Sequence, residues 1–137
     1  INKMEKQISF LSLFLISLTI FSCSNDETSK SIIIGKWRII EKYESGIQVD
    51  LTTCEPHFYT EYKADKWIIS YRISDTYPQE CGLVSTELGW NWSNLGNNKY
   101  RIRHLEEQGQ IFTIYKDGEN LVIENPDGIT KRIFEPY

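Results

Sequence analysis

Two histidines, three cysteines, one methionine and four prolines are all that 137 residues hold of these types, and the scarcity narrows the function. Neither His57 nor His104 lies beside a nucleophile motif. Gly-x-Ser-x-Gly and phosphate-cradling glycine loops are missing too, so common hydrolase and nucleotide chemistries have no foothold. Glu106-Glu107 lies in a turn sequence, where solvation accounts for the pair. No enzyme activity, metal or cofactor is therefore expected. Basic residues do not gather either: Lys99, Arg101 and Arg103 recur at period two on one strand face, which reads as a solvated exterior. Duplex binding needs a broader basic patch, so nucleic acid is not an expected partner. Self-similarity at about 20 to 50 residues is absent, which excludes solenoids and propellers. No apolar run reaches the roughly 20 residues that span a bilayer as a helix; the longest, Ile8 to Phe21, has 14.

That run has the form of an export signal. Met4, Glu5 and Lys6 precede it, and Ser22-Cys23 closes it, so residues 1–22 read as a signal peptide. Ile20-Phe21-Ser22-Cys23 resembles a bacterial lipobox, with an aliphatic residue three positions before Cys and a small one just before it; Phe21 stands where a small residue is usual. Cys23 is accordingly the expected lipidation site, and a membrane, held through that lipid, the first expected partner. Residues 23–31 carry no aliphatic or aromatic side chain and read as the lipidated cysteine plus a polar tether. Ser24 after the cysteine resembles outer-membrane sorting, and Asp26-Glu27 resembles the acidic signals of some surface-exposed lipoproteins. The expected location is the bacterial cell envelope, at the outer membrane. Removing residues 1–22 takes out Lys3, Lys6 and Glu5. The remaining 115 residues hold 13 basic and 18 acidic side chains, a net charge of −5. A chain of that size supports one core.

The body of the chain alternates apolar and polar residues over short runs broken by turn residues, the pattern of antiparallel β-structure. Eight strands are predicted: 33–43, 58–63, 66–74, 87–93, 99–105, 110–115, 121–124 and 129–134. Asn97-Asn98, Asp117-Gly118 and Asp127-Gly128 supply turn chemistry between consecutive strands. Short connections in order make a meander. Parity places Trp67, Ile69, Tyr71 and Ile73 on one face of the third strand, Leu88, Trp90 and Trp92 on the fourth, and Tyr100, Ile102 and His104 on the fifth. Eight strands of this kind close into a small up-and-down barrel with no exposed edge.

Gly35-Lys36-Trp37 on the first strand, the eight-strand meander and a cation, Lys131 or Arg132, on the last together resemble a lipocalin. More narrowly, residues 32–137 are similar to lipocalin-like domains of bacterial lipoproteins. Those domains carry one cysteine after strand one and another before a Gly-x-Trp strand, here Cys54, Cys81 and Leu88-Gly89-Trp90-Asn91-Trp92. The resemblance implies that Gly35, Trp37 and Arg132 close the barrel, with a cationic stem of residue 131 or 132 over the Trp37 ring. The chain is short for a classical lipocalin and shows no C-terminal helix.

In an exported compartment the two cysteines left after lipidation ordinarily pair, Cys54 with Cys81. The rival is a Cys2His2 zinc set of Cys54, His57, Cys81 and His104; the compartment weighs toward the disulfide. Inward aromatics then frame two functions. Trp67, Tyr71, Trp90, Trp92, Tyr100 and His104 would line a pocket for a small hydrophobic or aromatic ligand. The same rings would instead fill the barrel, leaving loops 45–56 and 75–86 to contact a protein or a glycan, with Tyr59 and Tyr77 as outward aromatics.

Overall fold

A computed structural model describes residues 30–73, 77–82 and 89–137. Residues 1–22, the expected lipidation site Cys23, most of the expected tether, Leu88 and much of the 75–86 loop lie outside the described residues. Among the described residues nine antiparallel strands form one sheet: β1 (Gly35–Glu44), β2 (Ile47–Val49), β3 (Phe58–Tyr62), β4 (Ile68–Arg72), β5 (Trp90–Gly96), β6 (Lys99–His104), β7 (Gln110–Asp117), β8 (Asn120–Glu124) and β9 (Thr130–Pro136). Two single 3-10 turns, Glu55–His57 and Gln79–Cys81, are the described helical segments. The predicted all-β meander is present, with one strand more than expected. The addition is β2, which Ser45 and Gly46, both at positive φ, fold back onto the end of β1.

Strand order is β4-β3-β1-β9-β8-β7-β6-β5, with β2 as a flap on β1. Apart from the β2 flap, which lies between β1 and β3 in sequence, neighbours in space are neighbours in sequence, except that β1 and β9 pair along Trp37 to Glu44 and so join the first and last strands. A bulge at Ile40 interrupts this ladder. Such an order curls the sheet into a half-barrel. Among the described residues its two outer strands, β4 and β5, are joined by one bridge, Trp67 opposite Asn91.

The concave face carries the core: Ile33, Trp37, Tyr62, Trp92, Tyr100, Ile114, Leu121 and Ile123. Directly opposed residues of an antiparallel pair share a face, so the register Tyr62 with Ile68, Trp92 with Ile102 and Ile114 with Ile123 carries one apolar face around the curl. Trp37 is buried, as expected, and its indole N–H donates to the Ile33 carbonyl at 2.8 Å. Gly35, two residues before it, has φ +147°, a conformation L side chains rarely adopt, which explains glycine there.

Three expectations are corrected. The cation over Trp37 is Lys116 of β7, its Nζ 4.5 Å from the ring centroid. The β1–β9 register puts Trp37 opposite Pro136 and carries Lys131 to Tyr43 and Arg132 to Lys42, too far along the strand to reach the indole. Parity on the third predicted strand is also reversed. Tyr62 pairs with Ile68, so Ile68 and Ser70 face inward, and Trp67, expected inside, is 45% exposed. Tyr71 follows Trp67 outward and pairs with Tyr59.

Candidate functional site

Where β5, β6 and β7 run side by side, the core face continues past Trp92 and Tyr100 into an open groove of about 460 Å³. Trp90, Ile102, His104, Gln110 and Phe112 form its floor. Their sharing one face is fixed by register, since Trp90 opposes His104, Ile102 opposes Gln110 and Phe112 opposes Tyr100. The Trp90 and His104 rings lie 5.3 Å apart at 55°, an aromatic corner with an imidazole edge available for a polar contact. Glu107 and Gln108 rim the groove.

The β6–β7 turn is held tight by Gly109. A Cβ there would lie 2.5 Å from the Arg103 Cβ and closer still to the Ile102 carbonyl oxygen, and its φ of +72° excludes most side chains as well. Gly89, on the other side, passes close to Leu105 and His104. These two close approaches let the chain ends beside the groove lie flat against β6.

Of the six ligand residues expected, the structure brings Trp90 and His104 together in the groove. Trp92 and Tyr100 belong to the core instead, 1% and 3% exposed. The Trp92 indole N–H donates to the Lys63 carbonyl at 3.1 Å and Lys66 lies over its ring at 4.0 Å, so its polar tip is spent on the β3–β4 turn. The Tyr100 hydroxyl bonds Ser31 at 3.1 Å. Trp67 stands at the seam. Tyr71 joins Tyr59 and Tyr137 on the convex face, with ring centroids 5.1 and 4.3 Å apart and planes within 22°. Phe112 and Gln110 were missed because the face of their strand was not sorted by parity; extending the alternation one strand past His104 finds them.

Cys54 and Cys81 form a disulfide, with Cα atoms 5.5 Å apart. That takes both thiols out of the Cys2His2 set. His57, beside Cys54, meets Tyr77 edge to face at 6.4 Å, and Arg72 lies over the same Tyr77 ring at 5.0 Å. Arg132, expected at the barrel closure, lies on the concave face of β9 opposite Lys42 and Ile123, and donates to the Asn125 side chain at 2.9 Å.

The fold and groove thus define an all-β protein with a curled antiparallel sheet, one disulfide and an aromatic-lined concave site. Comparison with family models, curated proteins and solved structures finds no match to this chain.

Proposed function

We propose that this chain is a lipocalin-like lipoprotein of the bacterial envelope, anchored at the outer membrane through a lipid on Cys23. Its half-barrel, closed into a lipocalin-like cup, holds a small hydrophobic or aromatic ligand in the β5–β7 groove. The observation that carries this reading is the groove itself: Trp90, Phe112 and Ile102 offer apolar contact while His104 and Gln110 offer directional polar groups, the mixture that small-molecule sites use. Each Å² of apolar surface a ligand covers there contributes about 25 cal/mol. Trp90 is the one tryptophan in the groove lining. Titrating with fatty acids, retinoids, haem and aromatic metabolites should therefore shift tryptophan emission in the natural protein and not in Trp90→Phe. A panel that shifts neither protein rejects the ligand reading. Anchoring is tested separately: Cys23→Ala should leave the membrane fraction, and its retention there rejects acylation.

A second reading, a surface module that contacts a protein or glycan, draws on the convex face. Tyr71, Tyr59 and Tyr137 form an outward stack, and Lys36 lies 5.5 Å from the middle ring. Loss of partner capture in Tyr137→Ala, with ligand titrations silent, would favour it.

A further inference from the structure

Lysines that the sequence scatters over separate turns are collected by the fold at one end of the half-barrel. Gly35 pairs with Tyr62 and Tyr62 with Ile68, Trp37 pairs with Pro136, Lys116 with Leu121 and Gly96 with Lys99. The chain entry at residues 31–34, the β3–β4, β5–β6 and β7–β8 turns and Tyr137 therefore rim the same end. Lys30, Lys36, Lys63, Lys66, Lys99 and Lys116 stand there against Asp65, Asp117 and Glu119. The opposite end, built from residues 44–57, 72–73, 77–82, 103–110 and 124–131, reverses the balance: eight carboxylates, Glu106 and Glu107 among them, stand against Arg72, Arg103 and Lys131. Lys42, next to that end, is spent on the Glu44 and Glu55 carboxylates at 3.7 and 3.9 Å.

At the lysine-rich end the charge is left open. Lys63 and Asp65, 3.8 Å apart, make the one ion pair of this end among the described residues. Lys36, Lys66 and Lys116 lie over the rings of Tyr59, Trp92 and Trp37, and Lys99 donates to the Thr113 hydroxyl at 2.6 Å, all neutral partners that leave the ammonium charge uncompensated. Lys30, Lys36 and Lys116 share an open cleft of about 440 Å³ with the exposed Ile32 and Tyr137, and Glu119 is its one acidic side chain. Exposed aliphatic residues stand at both ends, Ile32 and Leu95 at this one and Ile47, Leu105 and Ile129 at the other, so charge rather than hydrophobicity tells the ends apart.

The cleft is also where the chain arrives from Cys23. Eight peptide steps separate Cys23 from Ser31, and they span at most about 30 Å when fully extended. β1, with ten residues, is itself about 30 Å long, so a chain held at Cys23 brings the opposite end to a bilayer only with those steps drawn out completely. We propose that the lysine-rich end is seated on an anionic phospholipid surface, with the ammonium groups on the phosphates and Ile32, Leu95 and Tyr137 at headgroup level. This rests on the anchoring reading above and adds an orientation to it. The net charge of −5 on residues 23–137 does not oppose the contact, because the acidic end lies some 30 Å away, about three Debye lengths at 0.1 M salt, and is screened. The β5–β7 groove opens beside the β6–β7 turn at the acidic end, so it faces away from the membrane and takes its ligand from the aqueous side.

The test reads orientation on the protein purified with its lipid, in vesicles of phosphatidylcholine alone and of an equal mixture with phosphatidylglycerol, both carrying a headgroup spin label that quenches nearby tryptophan. Leu95→Trp and Ile129→Trp place a reporter at exposed positions of the two ends. Quenching of the added indole in Leu95→Trp should be at least about twofold stronger in the mixed vesicles, and the gain should vanish in about 1 M salt, where the Debye length is about 3 Å. Ile129→Trp should show no gain. Adding Lys36→Glu and Lys99→Glu to Leu95→Trp should abolish the gain, whereas adding Arg72→Glu and Lys131→Glu, the same charge change at the other end, should keep it. The salt comparison needs no charge variant, so it decides the question even where one of these fails to fold. Equal quenching at position 95 in both vesicles, a gain that survives salt, or an equal gain at position 129 overturns the seat and leaves the anchor standing. Failure of the natural protein to stay with either vesicle overturns both.

Discussion

Tyr62 shows what the concave face does to a single residue. Its side chain is buried in the core, and burial disfavours the charged phenolate, so its pKa is pushed up to about 12, with Arg132 acting in the opposite direction. In the unfolded chain the phenol titrates near 10. Below about pH 10 both states are neutral and the contribution of Tyr62 to stability is intact; from about pH 10 to 12 only the unfolded state ionises, and stability falls by roughly 2 to 3 kcal/mol. Denaturant melts of the natural protein and of Tyr62→Phe should therefore diverge in slope against pH in that window, the natural protein falling more steeply. Parallel curves would mean that the phenol is hydrated. Trp37 is the structural counterpart. Its ring fills one end of the core and its N–H is satisfied by Ile33, so Trp37→Ala should cost about 3 to 5 kcal/mol. An unchanged melting temperature would contradict a core built around it. The burial of Trp37 was legible in the sequence because a large indole in a β-branched run has no better place. Its cation was not legible, because Lys116 reaches it across the concave face from β7 rather than along the neighbouring strand.

At the scale of elements, turns were easier to read than faces. Asn97 and Asn98 both adopt positive φ between β5 and β6, and Asp127 accepts from the Ile129 amide at 2.8 Å, so local side-chain chemistry dictates these corners. The faces of β4 were ambiguous because Trp67, Ile69 and Tyr71 alternate with Ile68, Ser70 and Arg72, giving large side chains on both sides. Pairing with β3 decided between them: Ile68 docks on Tyr62, and the outward Tyr71 recovers burial by stacking on Tyr59 and Tyr137. Half of the groove was legible for the same reason in reverse, since Asn91 and Ser93 alternate with Trp90 and Trp92, and Arg101 and Arg103 with Ile102 and His104, leaving one face to bury. The cysteine pair acts between elements, tying the 3-10 turn before β3 to the β4–β5 connection across 27 residues. Chain-entropy reasoning gives a loop of that length about 3.5 kcal/mol. The double variant Cys54→Ala/Cys81→Ala should lose stability of that order in chemical denaturation while the β5–β9 sheet keeps its exchange protection. A loss spread evenly over the sheet would show that the bridge sets the whole fold rather than this corner.

The whole molecule depends on a seam that no local pattern announces. Sequence order predicts the meander, and β1–β9 pairing joins its two ends, but among the described residues the curl brings β4 and β5 together at Trp67 and Asn91. Trp92 makes three contacts there. Its amide donates to the Lys66 carbonyl at 2.9 Å, its indole N–H donates to the Lys63 carbonyl at 3.1 Å, and the Lys66 ammonium covers its ring. One residue of β5 thus clamps the β3–β4 turn by main chain, side-chain hydrogen bond and cation–π contact together. Trp92→Phe keeps the aromatic core and the main-chain bond but removes the indole donor, leaving the Lys63 carbonyl without that partner. The carbonyl still accepts from the Lys66 amide at 3.0 Å, so the expected cost is that of one net hydrogen bond, about 0.5 to 1.5 kcal/mol. Its location is the sharper test. Hydrogen exchange should quicken at the amides of Lys63, Lys66 and position 92, which bond across or beside the seam, while Ile114 and Val122, deep in the β7–β8 sheet, stay protected. Equal loss of protection at both places would mean that the half-barrel opens as one unit and that the seam is no weaker than the sheet it joins.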